Sequence, residues 1–175
     1  AAAPDGAVWF AESTTYSVTR LKDGALQRFE IGSERGGPFG VAVARDGTAW
    51  ATLQSGNALL RIGTDGTMET FEIPTRGAGP SDIAVAADES VWFLEFRTNR
   101  IGRYAAGQFS EIEIPAGFGA LSGLTIAPDG TVWFGAMRGA ALGHVEDGKV
   151  TMHKLPRDDA KPFSVAADAR GRIWY

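Results

Sequence analysis

Ala127-Pro128-Asp129-Gly130-Thr131-Val132-Trp133-Phe134 is the stretch that decides the fold. Four further copies of this phrase run through the chain. They are Ala3-Pro4-Asp5-Gly6-Ala7-Val8-Trp9-Phe10, Ala44-Arg45-Asp46-Gly47-Thr48-Ala49-Trp50, Ala87-Asp88-Glu89-Ser90-Val91-Trp92-Phe93 and Asp168-Ala169-Arg170-Gly171-Arg172-Ile173-Trp174-Tyr175. All five tryptophans belong to the phrase and are spaced by 41, 42, 41 and 41 residues. A fixed period of this length marks stacked or ringed supersecondary units.

A second turn follows each tryptophan, at Lys22-Asp23-Gly24, Thr64-Asp65-Gly66, Ala105-Ala106-Gly107 and Glu146-Asp147-Gly148. Its glycine lies 15, 16, 15 and 15 residues after the tryptophan, and the next tryptophan follows 26 residues later each time. The one extra residue therefore falls within 51–65. Asp-Gly between short apolar runs is a hairpin signal, because glycine takes a positive φ without steric cost.

Four short runs flank these turns. In the second unit they are Phe39–Ala44, Thr48–Leu53, Leu59–Gly63 and Met68–Ile73, here called strands A, B, C and D. Strand A alternates large with small (Val41 and Val43 against Ala42 and Ala44), the period of a strand where space is tight. Strand D alternates apolar with charged (Phe71-Glu72-Ile73, Ile112-Glu113-Ile114), as an outer strand wet on one side does. Proline closes strand D at Pro74, Pro115 and Pro156. No sustained helical stripe occurs. The expected fold is all-β: a β-propeller of four-stranded antiparallel blades, with each tryptophan packed between neighbours. The chain reads as a single domain with units 1–37, 38–80, 81–120 and 121–161, plus two strands of a fifth in 162–175. A ring with overlapping ends, part of a larger ring, and a homodimer completing one ring all fit this count.

The bulk properties exclude several classes. A net charge of −4 disfavours nucleic acid and anionic membrane surfaces, which require a basic patch. The absence of cysteine excludes a disulfide framework and a thiolate metal site. No apolar run approaches the roughly 20 residues that span a bilayer. The bacterial cytoplasm, the periplasm and secretion all remain open as compartments. The expected partner is a small molecule or peptide, with no nucleic acid and no membrane.

Three further patterns carry a resemblance: Pro4-Asp5-Gly6-Ala7-Val8-Trp9-Phe10-Ala11-Glu12, Asn99-Arg100-Ile101-Gly102-Arg103, and the endings Glu72-Ile73-Pro74 and Glu113-Ile114-Pro115. Together they resemble the streptogramin B lyases and their propeller relatives over the whole chain. The resemblance implies a seven-bladed propeller that opens the macrolactone of a streptogramin B antibiotic by elimination at its ester. It further implies a histidine base and a carboxylate-bound magnesium. In that family the histidine follows a proline at the start of an inner strand. The matching positions here are Phe39, Ser81, Ser122 and Phe163. None is histidine, and no carboxylate precedes a proline in these connections.

Antiparallel A-B-C-D order gathers the B–C and D–A connections at one end, where scaffolded folds place function. The candidate ligand-binding residues there are Glu12, Tyr16, Asn57, Arg76, Asp82, Glu95, Arg97 and Arg138. Glu12 and Glu95 follow Trp-Phe by one residue and are the candidate metal ligands. The competing reading pairs them with arginines such as Arg97 and Arg138. His153, aligned with Phe29, Phe71 and Ile112, reads as a packed strand residue, and His144, aligned with Arg20 and Arg103, as a solvated strand face. No phosphate loop, nucleophile elbow or metal-spaced histidine cluster is present. Three functions fit: a lyase-like propeller with a ligand-binding face and no catalytic histidine of its own, an active lyase whose missing groups come from elsewhere, and a protein-binding adaptor.

Overall fold

The computed structural model describes residues 1–175. Apart from one turn of 3-10 helix at Ser33–Arg35, all regular structure is β. Blade 1 holds β1 (Val8–Glu12), β2 (Ser17–Lys22) and β3 (Ala25–Glu30), and its inner edge carries only a short bridge from Ala2 to Val8. Blade 2 holds β4 (Pro38–Val43), β5 (Ala49–Leu53), β6 (Ala58–Ile62) and β7 (Met68–Glu72). Blade 3 holds β8 (Pro80–Val85), β9 (Val91–Glu95), β10 (Arg100–Ala105) and β11 (Gln108–Glu113). Blade 4 holds β12 (Gly119–Ile126), β13 (Val132–Arg138), β14 (Ala141–Glu146) and β15 (Lys149–Lys154). Two short strands, β16 (Ala166–Ala167) and β17 (Ile173–Trp174), begin a fifth sheet. Every sheet is antiparallel and follows chain order. The inner strands β4, β8, β12 and β16 lie next to one another in sequence, so the sheets fan about a common axis as a partial β-propeller. The four-strand expectation thus holds for blades 2 to 4, while blade 1 has three strands and a bridge.

The repeated phrase folds as its chemistry requires. Asp5, Asp46, Asp88 and Asp129 each accept the backbone N–H two residues on, at 2.8–3.1 Å, closing the A–B turn. The C–D turns Asp23-Gly24, Ala106-Gly107 and Asp147-Gly148 have both residues at positive φ, as two-residue hairpins demand. In blade 2 the connection is the three-residue Thr64-Asp65-Gly66, closed by a 2.8 Å bond from Gly63 N–H to the Thr67 carbonyl. This is where the extra residue of the 42-residue spacing resides.

Three cores join the blades. Trp9, Val18 and Phe29 of blade 1 pack with Ala51, Leu53 and Leu60 of blade 2. Trp50 and Leu59 of blade 2 pack with Val91 and Phe93 of blade 3, and Tyr104 of blade 3 lies 5.7 Å from the Trp50 ring. Leu94 and Ile101 of blade 3, with Trp92 against them, pack with Val132, Phe134 and Val145 of blade 4. Burial of large aromatic area between sheets is the main attraction holding such blades together. On the opposite face of the sheet, Phe93 and Phe134 sit directly across from Gly102 and Gly143, whose missing side chains make room for the rings.

Candidate functional site

The B–C and D–A connections form one end of the axis, and the inner strands open there through a recurring bulge. Pairing registers shift between Pro38 and Val41, between Pro80 and Ile83, and between Ser122 and Leu124. A bulge re-aims side chains next to a sheet rim. Here it also stitches blades together. Thr52 Oγ1 accepts from Gly40 N–H at 2.9 Å and donates to the Ser81 carbonyl of blade 3 at 2.6 Å. Ser122 Oγ donates to the Pro162 carbonyl at 2.7 Å, and Asp82 Oδ2 accepts from Gly123 N–H of blade 4 at 2.8 Å. Asp82 is half-buried, and that burial pushes its carboxyl up from the ordinary range. Phe39 in the blade 2 bulge and Phe163 in the segment before β16 are exposed, as are Tyr16 and Phe96 in the connections at this end.

Asn57 has another job. It sits in the B–C turn at φ 53°, a left-handed conformation that asparagine tolerates. Its Nδ2 donates to the carbonyls of Ile73 and Thr75, both at 3.0 Å, and its Oδ1 accepts from Ala78 N–H at 2.8 Å. The amide is spent tying the B–C turn to the D–A connection. Asn99 repeats the two donor bonds in blade 3, with φ 57° and bonds to the Ile114 and Phe118 carbonyls, while its Oδ1 has no partner. Tyr16 and Ala140 hold the same left-handed place in blades 1 and 4. Asn57→Ala is expected to cost about 2 kcal/mol, from strained φ and lost hydrogen bonds. Asn57→Gly, free of the φ cost, should lose about 1 kcal/mol less. Chemical denaturation of both variants checks the order.

Glu12 and Glu95 occupy equivalent positions at the ends of β1 and β9 but different surroundings. Glu12 accepts from Ser17 Oγ at 3.0 Å, from Thr19 Oγ1, and from Arg28 at 3.0–3.3 Å. These donors, Thr19 first and Arg28 second, hold its carboxyl below the usual range. Glu95 is fully buried. Thr98 donates to its Oε2 at 2.7 Å, while Oε1 has no partner. Burial is the largest cause that pushes its pKa up to about 7, and the neighbouring carboxylate Glu111 adds to it. Glu111 Oε1 is also without a partner, while its Oε2 accepts from Thr75 Oγ1 at 2.6 Å and Arg100 at 3.2 Å. Thr75 belongs to the blade 2–blade 3 connection, so this cluster is an interblade joint.

The magnesium-ligand reading of Glu12 and Glu95 does not fit these surroundings. The two lie in different blades, and no group of three His, Cys, Asp or Glu side chains converges anywhere in the chain. Glu12 is saturated by donors, and Glu95 sits beside the Arg100 guanidinium. The competing expectation is corrected as well: the arginines beside them are Arg28 and Arg100 of their own blades, not Arg97 or Arg138. Arg76, Arg97 and Arg138 are exposed at this end, with the Arg97 chain lying over Gly79. Sequence reasoning passed over Thr75, Arg100 and Glu111. The strand D alternation that includes Glu111 and Glu113 was the available signal, but it read simply as a wet face.

Three cavities open at the other end. One of about 340 Å³ lies on the axis among Val43, Ala44, Val85, Ala86, Ile126 and Ala127. Two grooves of about 470 and 690 Å³ lie between blades 1 and 2 and between blades 3 and 4, beside Trp9 and Trp92.

Comparison with known proteins gives one consistent outcome. The virginiamycin B lyase family matches residues 1–175. No curated protein matches the sequence. Among solved structures, a catalytically inactive virginiamycin B lyase from Staphylococcus aureus with quinupristin is 30% identical, with a TM-score of 0.93, covering 99% of this chain and 60% of that one. A streptogramin B lyase structure is 27% identical, also with a TM-score of 0.93, covering 99% of this chain and 59% of the other. A gluconolactonase from Xanthomonas campestris, 17% identical with a TM-score of 0.74, covers 97% of this chain and 65% of its own and shares the fold alone. The chain thus spans about 60% of the length of the solved lyases.

Proposed function

Since this chain belongs to the virginiamycin B lyase family, we propose that its B–C/D–A end binds an apolar macrocyclic lactone or peptide of the streptogramin B class without opening the ring by groups of its own. The observation that supports this most is the set of inner-strand bulges. The positions where the family resemblance asks for histidine carry Phe39, Ser81, Ser122 and Phe163. Two of them expose a phenyl ring at this end, and the half-buried Asp82 follows a third, Ser81, in the chain. Aromatic rings left in water next to a few fixed polar groups suit an apolar ligand that needs orienting. The relative solved with quinupristin supplies the probe. The inner strands hold the bulges rigidly through the Thr52, Ser122 and Asp82 bonds, so ligand contacts there need no reorganisation.

The experiment is calorimetric titration with quinupristin, paired with a ring-opening assay in the presence of magnesium. Binding without turnover is expected, weakened at least tenfold by Phe39→Ala and Asp82→Asn. Equal affinity in these variants rejects the face. Ring opening in that assay supports instead a second reading, an active lyase whose catalytic groups come from a second copy of the chain. That reading draws on the family match and on the greater length of the solved lyases, whose unmatched portion a second copy would replace.

A further inference from the structure

Blade 4 departs from a pattern kept by the other three blades. The indole of Trp9 is flanked by Arg20 across the strand pair and by Phe29 on the outer strand. Trp50 has Arg61 and Phe71, and Trp92 has Arg103 and Ile112. Around Trp133 both places are taken by histidine, and these are the chain's two histidines. Their rings lie 4.7 Å (His144) and 5.5 Å (His153) from the indole. The two imidazoles are 5.0 Å apart, 17° from parallel, with Nδ1 of His144 at 2.9 Å from Nε2 of His153. A nitrogen contact that short at that centroid distance means rings set edge to edge in nearly one plane, not face to face. The pair lies over Trp133 and shares one N–H···N hydrogen bond. The packed-residue reading of His153 is corrected here: its ring is exposed and bonded to His144, which is half-buried.

The position has a definite chemistry in the other blades. In each of them the strand C arginine binds a carboxylate: Asp5 to Arg20 at 2.6 Å and Asp88 to Arg103 at 3.0 Å from the A–B turns of blades 1 and 3, and Glu69 of strand D to Arg61 at 2.9 Å in blade 2. An arginine with a phenyl or aliphatic neighbour cannot ligate a metal. Two neutral imidazoles can. Asp129, the corresponding carboxylate, is held below its ordinary range chiefly by Thr131, with the charge on His144 a smaller cause.

We propose that His144 and His153 form a chelating site for a late first-row divalent cation, copper(II) in preference to nickel(II). Metal–nitrogen bonds of about 2.1 Å at a right angle place the two nitrogens about 3 Å apart. The observed 2.9 Å already meets that span, so the rings need only turn about their Cβ–Cγ bonds for the lone pairs to converge. A right-angled pair of imidazoles suits the tetragonal preference of copper(II) and nickel(II), and copper binds such donors most tightly. The proton bridging the pair moves to the outward nitrogen of the same ring, so the neutral pair takes up the ion without net proton release. Water completes the coordination on the exposed side.

The test is titration of the untagged chain with copper(II) above neutral pH, followed by electron paramagnetic resonance. One ion per chain is expected, with superhyperfine splitting from two imidazole nitrogens. The variant His144→Arg/His153→Phe, which restores the residues of blades 1 and 2, is expected to lose that splitting and at least tenfold in affinity. Since those residues fold in equivalent places, its unfolding midpoint should stay near that of the parent. His153→Gln, on the exposed outer strand, is the second variant and should leave a single-nitrogen signal. Equal copper binding by parent and variants, or a single-nitrogen signal in the parent, overturns the proposal.

Discussion

Phe93→Ala is expected to destabilise the chain by about 4 kcal/mol, the cost of deleting a buried phenyl and leaving a cavity. Phe93 is fully buried and faces Gly102 across the β9–β10 pair. Gly102→Leu should be nearly as damaging, by about 3 kcal/mol, since even a methyl at Gly102 would overlap the Phe93 ring. Blade 2 shows that the same space can be filled the other way round. There Ala51 faces Leu60, both buried, in the positions that Phe93 and Gly102 hold in blade 3. The double variant Phe93→Ala/Gly102→Leu copies that pair and should recover about half of the loss from either single change. The three variants form a double-mutant cycle, measured by chemical denaturation, and a favourable coupling of at least about 1 kcal/mol is expected. Purely additive losses would show that Phe93 and Gly102 do not share one packing volume. The pair Phe134 and Gly143 of blade 4 offers the same cycle in a second copy.

That glycine was visible in the sequence as part of Asn99-Arg100-Ile101-Gly102-Arg103, but its reason was not. The legible features were those fixed by neighbouring residues. The aspartates of the phrase close their own turns, and Asp-Gly sets the hairpins, so period, strand order and fold class followed from local chemistry. The cross-strand partners of the site residues were less accessible. Glu12 reaches Arg28 two strands away, and Glu95 faces Glu111 two strands away, so nothing near either carboxylate in the chain names its partner. Asn57 looked like a free polar group at the right end because its left-handed turn and its three bonds to the D–A connection arise only once blade 2 has closed. Tyr16 and Ala140 occupy the same turn, which shows that backbone position, not side-chain type, is what the repeat keeps there. The bulge at the inner strands, which places Phe39 and Asp82, adds a residue to one strand, so the alternation legible in Val41–Ala44 does not carry back through it and the facing of the residues before it is not written in the pattern.

Glu95→Gln is expected to remove most of the chain's loss of stability between weakly acid and neutral pH. The folded protein holds the Glu95 proton more tightly than the unfolded chain, with a pKa near 7 against an ordinary 4.5. A group whose folded pKa is raised gives its full stability below the unfolded value and loses it as pH rises through the folded value. The window is therefore about 4.5 to 7, and the loss across it is of the order of 3 kcal/mol. Burial drives the effect, because ionised Glu95 would be held out of water with its Oε1 unpartnered, and the negative charge on Glu111 beside it adds to the cost. Arg100 moderates it from the same face, and it also binds Glu111 and Glu113. Because the Glu111 carboxylate adds to the rise of the Glu95 pKa, Glu111→Gln should lower it and move the window towards acid pH. It also leaves Arg100 with Glu113 and should cost some stability at every pH. Urea unfolding measured at steps from acid to slightly alkaline pH distinguishes the variants. A parallel pair of curves for the parent and Glu95→Gln would mean that Glu95 is already ionised in the folded state. In that case the Thr75–Arg100–Glu111 joint between blades 2 and 3 holds beside an ionised Glu95.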